Sequence, residues 1–144
     1  MTEQRYDLII IGAGSGGLVA ARFATQLGAK VALVEKDRIG GDCTWTGCVP
    51  SKALLKAAKV AHEVRNSLHY GIDSGTPVAD MAKVRDYIRR AIQQVYEFES
   101  PEALQKESIN VFLGAARFLD SKSILAGDQT LRSKKFLLTP ALVH

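Results

Sequence analysis

Apolar residues recur along this chain with two different periods. Leu8-Ile9-Ile10-Ile11 and Val31-Ala32-Leu33-Val34 are continuous aliphatic runs, the pattern of strands covered on both faces. Between them, Leu18, Val19, Ala21, Ala24 and Leu27 follow one helix face. They predict a helix from about Ser15 to Leu27, with Gly28 as its stop. Such a helix rises about 20 Å, as far as a strand of about six residues extends. That match suits a right-handed crossover between parallel strands.

Arg38 to Val49, with Gly40, Gly41 and Gly47, reads as a loop. Pro50 suits the first position of a helix, where a missing N–H costs nothing. Ala53, Ala57, Val60, Ala61, Val64 and Leu68 keep helical spacing, so this helix is expected to reach about Ser67. Tyr70 to Pro77 is a turn-rich connection. A second amphipathic helix is expected from about Val78 to Phe98, with an apolar stripe at Met81, Val84, Ile88, Ala91, Ile92 and Val95. Short strands are predicted at Ile109–Leu113, Arg117–Leu119, Ser123–Ala126, Thr130–Leu131 and Lys135–Leu138, with Gly127-Asp128 turning between two of them. The expected fold is α/β: a parallel sheet with crossover helices, plus a small β-meander.

Composition narrows the class. The 144 residues suit one domain, 47% of them apolar and 24% charged, which rules out a disordered tail. Twelve glycines and two cysteines rule out collagen-like and disulfide-scaffold chains. No apolar run approaches the roughly 18 residues of a membrane span. The start, Met1-Thr2-Glu3-Gln4-Arg5, lacks the order of a signal peptide. A soluble, cytoplasmic protein is expected. The 19 basic residues exceed the 15 acidic ones by a dispersed +4. The densest basic stretch, Arg132-Ser133-Lys134-Lys135, carries no nucleic-acid-binding signature. Neither nucleic acid nor membrane is an expected partner.

Gly12-Ala13-Gly14-Ser15-Gly16-Gly17 follows the first strand without a gap and fits G-x-G-x-x-G. The first glycine permits the tight turn, the second lets backbone approach a pyrophosphate, and the third lets helix pack against strand. The helix N-terminus offers unpaired N–H groups and partial positive charge to phosphates. Glu35 ends the second strand, where a carboxylate can accept hydrogen bonds from an adenosine ribose. An acid there argues against a 2′-phosphate on that ribose. The expectation is dinucleotide binding, with FAD and NAD not distinguished by the motif.

Cys43 and Cys48 flank Thr44-Trp45-Thr46-Gly47. As a stability device so short a loop yields only roughly 2 kcal/mol. As a metal site the pair lacks partners, since His62 and His69 fall outside the usual ligand spacing. The third reading is a redox dithiol. Cys48 lies two residues before the expected helix start, where the helix field favours thiolate, and a short loop raises the reduction potential. Lys52 sits in that first turn, unfavourable for a cation. It reads equally as a solvated lysine or as a functional ammonium near the redox centre. Trp45 reads as a packing residue or as cover for the disulfide.

The stretch Gly40-Gly41-Asp42-Cys43-Thr44-Trp45-Thr46-Gly47-Cys48-Val49-Pro50-Ser51-Lys52-Ala53-Leu54-Leu55 resembles the redox-active segment of the class I pyridine nucleotide–disulfide oxidoreductases. Dihydrolipoamide dehydrogenase, mercuric reductase and glutathione reductase belong to that family. With the glycine motif the resemblance covers Tyr6 to Leu55, and more loosely Gly114-Ala115-Ala116-Arg117-Phe118 to about Leu138. It implies a Rossmann-like FAD-binding domain, with electrons passing from NAD(P)H through FAD to a Cys43–Cys48 disulfide and then to a small-molecule disulfide or metal-ion substrate. It implies catalytic roles for Cys43 as interchange thiol, Cys48 as charge-transfer thiol, and Lys52 near the flavin. It implies cofactor contacts from Gly12, Gly14, Ser15, Gly16, Gly17, Glu35, Lys36, Gly41, Asp42, Lys52 and Ala116, no metal ligands, and homodimers among full-length relatives.

Three features depart from the family pattern. Asp42 stands where many members have Thr, and Trp45-Thr46 replaces a small apolar residue and Asn. Thr139-Pro140-Ala141-Leu142-Val143-His144 stands where the family continues with Ala-Thr-Gly. The chain is therefore expected to be an incomplete N-terminal part, inactive by itself. The alternative is a non-catalytic Rossmann-like module without cofactor.

Overall fold

The fold is seen in a computed structural model that describes residues 4–139. The departure at Pro140 to His144 and the start at Met1 to Glu3 lie outside those residues. In chain order the elements are β1 (Gln4–Arg5), β2 (Leu8–Ile11), α1 (Ser15–Gln26), β3 (Val31–Glu35), α2 (Gly41–Trp45) and α3 (Cys48–Arg65). After a 3-10 turn (Ser67–Tyr70) come α4 (Met81–Tyr96), α5 (Pro101–Lys106), β4 (Ile109–Leu113), β5 (Ala116–Phe118), β6 (Ser123–Ala126), β7 (Gln129–Arg132) and β8 (Phe136–Leu138).

Two four-stranded sheets form, in the orders β4-β3-β2-β8 and β1-β7-β6-β5. The first is wholly parallel, with Ile10 opposite Leu33 and Leu33 opposite Val111. Its central strands are buried on both faces, as the unbroken apolar runs require. Because side chains alternate across a strand, neighbours Ile9 and Ile10 enter different cores. Ile10 packs with Leu18 and Ala21 of α1, and with Leu33, Ile39, Leu104 and Ile109. Ile9 packs with Tyr6, Ala32, Val34, Ile124, Ala126 and Leu131 beneath the second sheet. In that sheet β5, β6 and β7 form the expected antiparallel meander, and Gly127 turns between β6 and β7 with φ of 60°. The Rossmann-like α/β expectation agrees with this architecture.

Five local expectations change. The presumed loop of Arg38 to Val49 contains α2. The next helix begins at Cys48 with Gly47 as cap, so Pro50 is its third residue. The following helix begins at Met81 because the Asp80 carboxylate accepts from the Ala82 and Lys83 N–H groups at 2.9 and 3.2 Å. The α5 helix was not anticipated, although Ser100 caps it and Pro101 opens it. The stripe on α4 is only half-buried and Met81 is exposed, because α4 packs on α3 and stands off the core. No helix among the described residues is long and apolar enough to cross a membrane.

Candidate functional site

The β2–α1 turn is shaped by what its glycines exclude. Gly12 has φ of 110°, and a Cβ there would overlap the Thr139 carbonyl oxygen. A Cβ on Gly17 would overlap the Gly12 carbonyl oxygen, so the helix reaches the strand only because both lack side chains. Gly14 is different: nothing lies within 4 Å of where its Cβ would stand. Nothing in the fold demands a glycine there, and the open space suits a ligand approaching the backbone. Gly14 caps α1 without a side-chain hydrogen bond, and the first turn carries no acidic residue. The N–H groups that begin α1 at Ser15, Gly16 and Gly17 therefore keep their capacity to meet an anion.

Glu35 ends β3 beside this turn. One carboxylate oxygen accepts the Ala13 N–H at 2.7 Å and the other the Asp37 N–H at 2.9 Å. It is thus a structural clamp on the glycine turn, and each oxygen retains a second lone pair for a ribose hydroxyl. Lys36 follows it on the surface. The Gly114 N–H donates to the Glu35 carbonyl at 2.7 Å, bringing the segment that leads to half-buried Ala116 alongside the same strand end.

The cysteine loop is fastened to that turn. The Gly40 N–H donates to the Ala13 carbonyl at 2.8 Å, and a Cβ on Gly41 would stand 3.1 Å from the Gly14 Cα. Gly40 and Gly41 both have positive φ, 98° and 58°, the backbone sign that favours glycine. Asp42, exposed in α2, accepts at its carbonyl from the Thr46 and Gly47 N–H groups at 3.0 and 2.6 Å and so closes the loop.

Cys43 lies in α2 and Cys48 opens α3, both as free thiols. The Cys48 thiol donates to the Cys43 sulfur and holds Cys43 below the ordinary thiol range. The Ser15 hydroxyl adds to this effect, while burial and the Glu99 carboxylate oppose it. Cys48 is pushed up, first by that hydrogen bond and then by the charge on Cys43, and the Lys52 ammonium opposes the rise. The expectation that the helix field lowers the Cys48 thiol is therefore not met. Cys48 does stand in the first turn of α3, but a directly bonded sulfur outweighs the helix N-terminus. Lys52 is exposed one residue beyond that turn, since α3 starts at Cys48 rather than Pro50.

Trp45 is a packing residue. Its indole donates to the Ile39 carbonyl at 2.8 Å, and its ring lies 5.1 Å from Tyr96 and beneath Arg38. His62 meets Asn66, and His69 meets Tyr70 edge-on. Among the described residues no cluster of three or more His, Cys, Asp or Glu side chains could hold a metal.

Sequence reasoning missed three contributors. The Thr139 hydroxyl donates to the Gly12 carbonyl at 2.9 Å, locking the turn from the end of β8. Thr44, 2% exposed, donates to Glu99 at 2.8 Å. Arg22 donates to the Phe98 carbonyl at 2.5 Å and to Glu107 at 2.8 Å. No local motif marks any of them. Lys52, Glu99 and Arg22 also border a groove of about 570 Å³ between α3 and α4, lined otherwise by apolar residues such as Val49, Val95 and Phe98.

The site can thus present a helix terminus to a pyrophosphate, a carboxylate to a ribose, and a proton-sharing dithiol beside both. The sequence profile of the family described as pyridine nucleotide-disulphide oxidoreductase matches residues 6–140. A mercuric reductase of Staphylococcus aureus is 35% identical over 133 residues, covering 92% of this chain and 24% of that protein. A dihydrolipoyl dehydrogenase of Acholeplasma laidlawii is 34% identical over 140 residues, covering 94% of this chain and 40% of that protein. Another, of Haloferax volcanii, is 43% identical over 119 residues, covering 82% and 24%. The chain therefore spans between 24% and 40% of the length of these relatives.

Proposed function

Because this chain belongs to the pyridine nucleotide-disulphide oxidoreductase family, we propose that it forms the FAD-binding, dithiol-bearing part of an oxidoreductase that reduces a small-molecule disulfide or a metal ion. The observation that carries this reading is the 2.8 Å bond from Gly40 to Ala13, which fastens the dithiol loop to the dinucleotide turn. The residues present fit FAD. Gly14 leaves room for a pyrophosphate, α1 begins uncapped, and Glu35 has lone pairs for a ribose. When bound, FAD supplies a two-electron carrier beside the dithiol. NAD(P)H is the proposed electron source, and the complete protein is proposed to be a cytoplasmic homodimer.

In the reduced state Cys43 is the better nucleophile, because Cys48 and Ser15 stabilise its thiolate. Its sulfur attacks one sulfur of a disulfide substrate. A Cys43–substrate bond forms, the substrate's own S–S bond breaks, and the departing thiolate takes the Cys48 proton. Cys48, now a thiolate, then attacks Cys43. That closes the Cys43–Cys48 disulfide and releases the second half of the substrate as a thiolate. The substrate gains two electrons and the dithiol loses two. Lys52 supplies positive charge to Cys48 as that thiolate forms.

The test is a titration of the purified chain with FAD, with free thiols counted before and after mild oxidation. Flavin retention, together with a reversible Cys43–Cys48 disulfide identified by mass spectrometry, supports the reading. A protein that binds no flavin and never closes the disulfide would instead be a binding module without cofactor. The isolated chain is proposed not to turn over. Steady-state disulfide reduction driven by NAD(P)H in this 144-residue chain would refute that part.

A further inference from the structure

We propose that Glu99 is a positioning residue for the dithiol, its carboxylate restraining Cys43 through Thr44, an inference that rests on the function proposed above. The α2 helix spans only Gly41–Trp45, too short to sustain itself by its own hydrogen bonds. It must be held from outside. Glu99, in the turn between α4 and α5, holds it by one hydrogen bond and lies close against its cap. Its Oε2 accepts the hydroxyl proton of buried Thr44 at 2.8 Å. The same oxygen would lie 2.5 Å from a Cβ on Gly40, the residue that caps α2. Thr44 is the direct chain neighbour of Cys43, so the carboxylate fixes the orientation of the helix that carries the nucleophilic sulfur.

Glu99 is itself set in place. Arg22 of α1 donates to the Phe98 carbonyl and to Glu107 at the far end of α5, tying the turn and α5 to α1. The Glu99 N–H donates to the Tyr96 carbonyl at 2.9 Å. A chain of polar contacts thus runs from α1 through Arg22, the 98–99 turn and Thr44 to Cys43.

Electrostatics gives the arrangement a chemical consequence. The charged and titratable groups around Cys43 are Cys48 and Lys52 from α3, Asp42 on its own helix, and Glu99, with Arg22 bordering the same groove. Among these, Glu99 is the carboxylate that disfavours the Cys43 thiolate. It therefore orients the sulfur while restraining its ionisation, leaving Cys48 to supply the stabilising hydrogen bond.

The test reads the rate of Cys43 carbamidomethylation by iodoacetamide against pH, in the full chain, with peptide mapping to separate Cys43 from Cys48. In this reaction the thiolate displaces iodide and a sulfur–carbon bond forms. Glu99→Gln keeps an acceptor for Thr44 and removes the charge. It is expected to speed alkylation below the midpoint by roughly two- to fivefold, the effect of one solvent-screened charge. Thr44→Val removes the donor while the charge stays. It is expected to slow disulfide closure and move the alkylation profile to higher pH, and Thr44→Ser is expected to restore both. Thr44→Val is read in place of Glu99→Gln should the latter lose its helical signal. Profiles superimposable on that of the unaltered protein would overturn the inference, even with flavin binding and disulfide closure intact. Failure of flavin binding and disulfide closure in the unaltered protein would defeat the proposed function. The alkylation profiles would still decide the role of Glu99.

Discussion

Replacing Gly17 by alanine separates what the fold needs from what a ligand needs. An alanine Cβ would overlap the Gly12 carbonyl oxygen and stand 3.0 Å from both the Gly12 carbonyl carbon and the Thr139 hydroxyl. None of these is the free end of a flexible side chain, so α1 must move away from β2. Overpacking of this kind costs about 1–3 kcal/mol. The shift also strains the hydrogen bond from Thr139 to Gly12, worth about 1 kcal/mol. Against this, alanine gains up to about 1 kcal/mol of helix propensity. The net expectation is a loss of about 1–3 kcal/mol, lowering the melting midpoint by about 2–12 °C. Gly14→Ala meets no atom within 4 Å, so it should cost less than about 1 kcal/mol through a poorer helix cap. In an FAD titration followed by flavin fluorescence, however, Gly14→Ala should weaken binding by roughly tenfold or more, a loss of about 1.4 kcal/mol or greater. Melting by circular dichroism, paired with that titration, checks both halves. Equal midpoints for the two variants would refute the steric argument, and undiminished flavin affinity in Gly14→Ala would refute the assignment of its open space.

Removing Cys43 should make Cys48 reactive at lower pH. In the unaltered chain the lowered Cys43 ionises first, so its alkylation begins at lower pH than that of raised Cys48. In Cys43→Ser the two largest influences that raise Cys48 are gone while Lys52 remains, so the Cys48 profile should move to lower pH, as peptide-resolved alkylation rates would reveal. Glu35→Gln replaces a charged acceptor of the Ala13 and Asp37 N–H groups. It should cost about 1 kcal/mol in urea unfolding and weaken FAD binding in the same titration. Thr139→Val deletes the hydroxyl that donates to the Ile11 and Gly12 carbonyls. It should destabilise by about 1–2 kcal/mol, read as a midpoint drop without loss of the thiol pair.

The sequence made legible whatever is written locally. Leu8–Ile11, the glycine turn and Val31–Val34 declare strand, turn, helix and strand in one continuous stretch, and the structure assembles them as a parallel crossover. Gly127 announces the meander turn. The α2 helix stayed hidden because Gly40, Gly41 and Gly47 bracket it with loop chemistry, and because five residues are too few to display a period. The start of α3 was misplaced because Pro50 is acceptable anywhere in a first turn. Glu99 and Thr139 were invisible for another reason. They act on Thr44 and Gly12 across separations of 55 and 127 residues, and no spacing rule spans such distances. The expected lowering of Cys48 failed similarly. Position on a helix could be read from sequence, but the sulfur–sulfur contact needed the folded loop.

The latch at Thr139 has a consequence for how this protein comes into being. During synthesis the residues of the phosphate turn leave the ribosome 127 positions ahead of the hydroxyl that secures them. Until β8 slots in beside β2, the nascent turn must wait with its central strand open along one edge. The glycine turn is thus secured only once β8 has been made, whereas the two thiols, five positions apart in the chain, can meet before it.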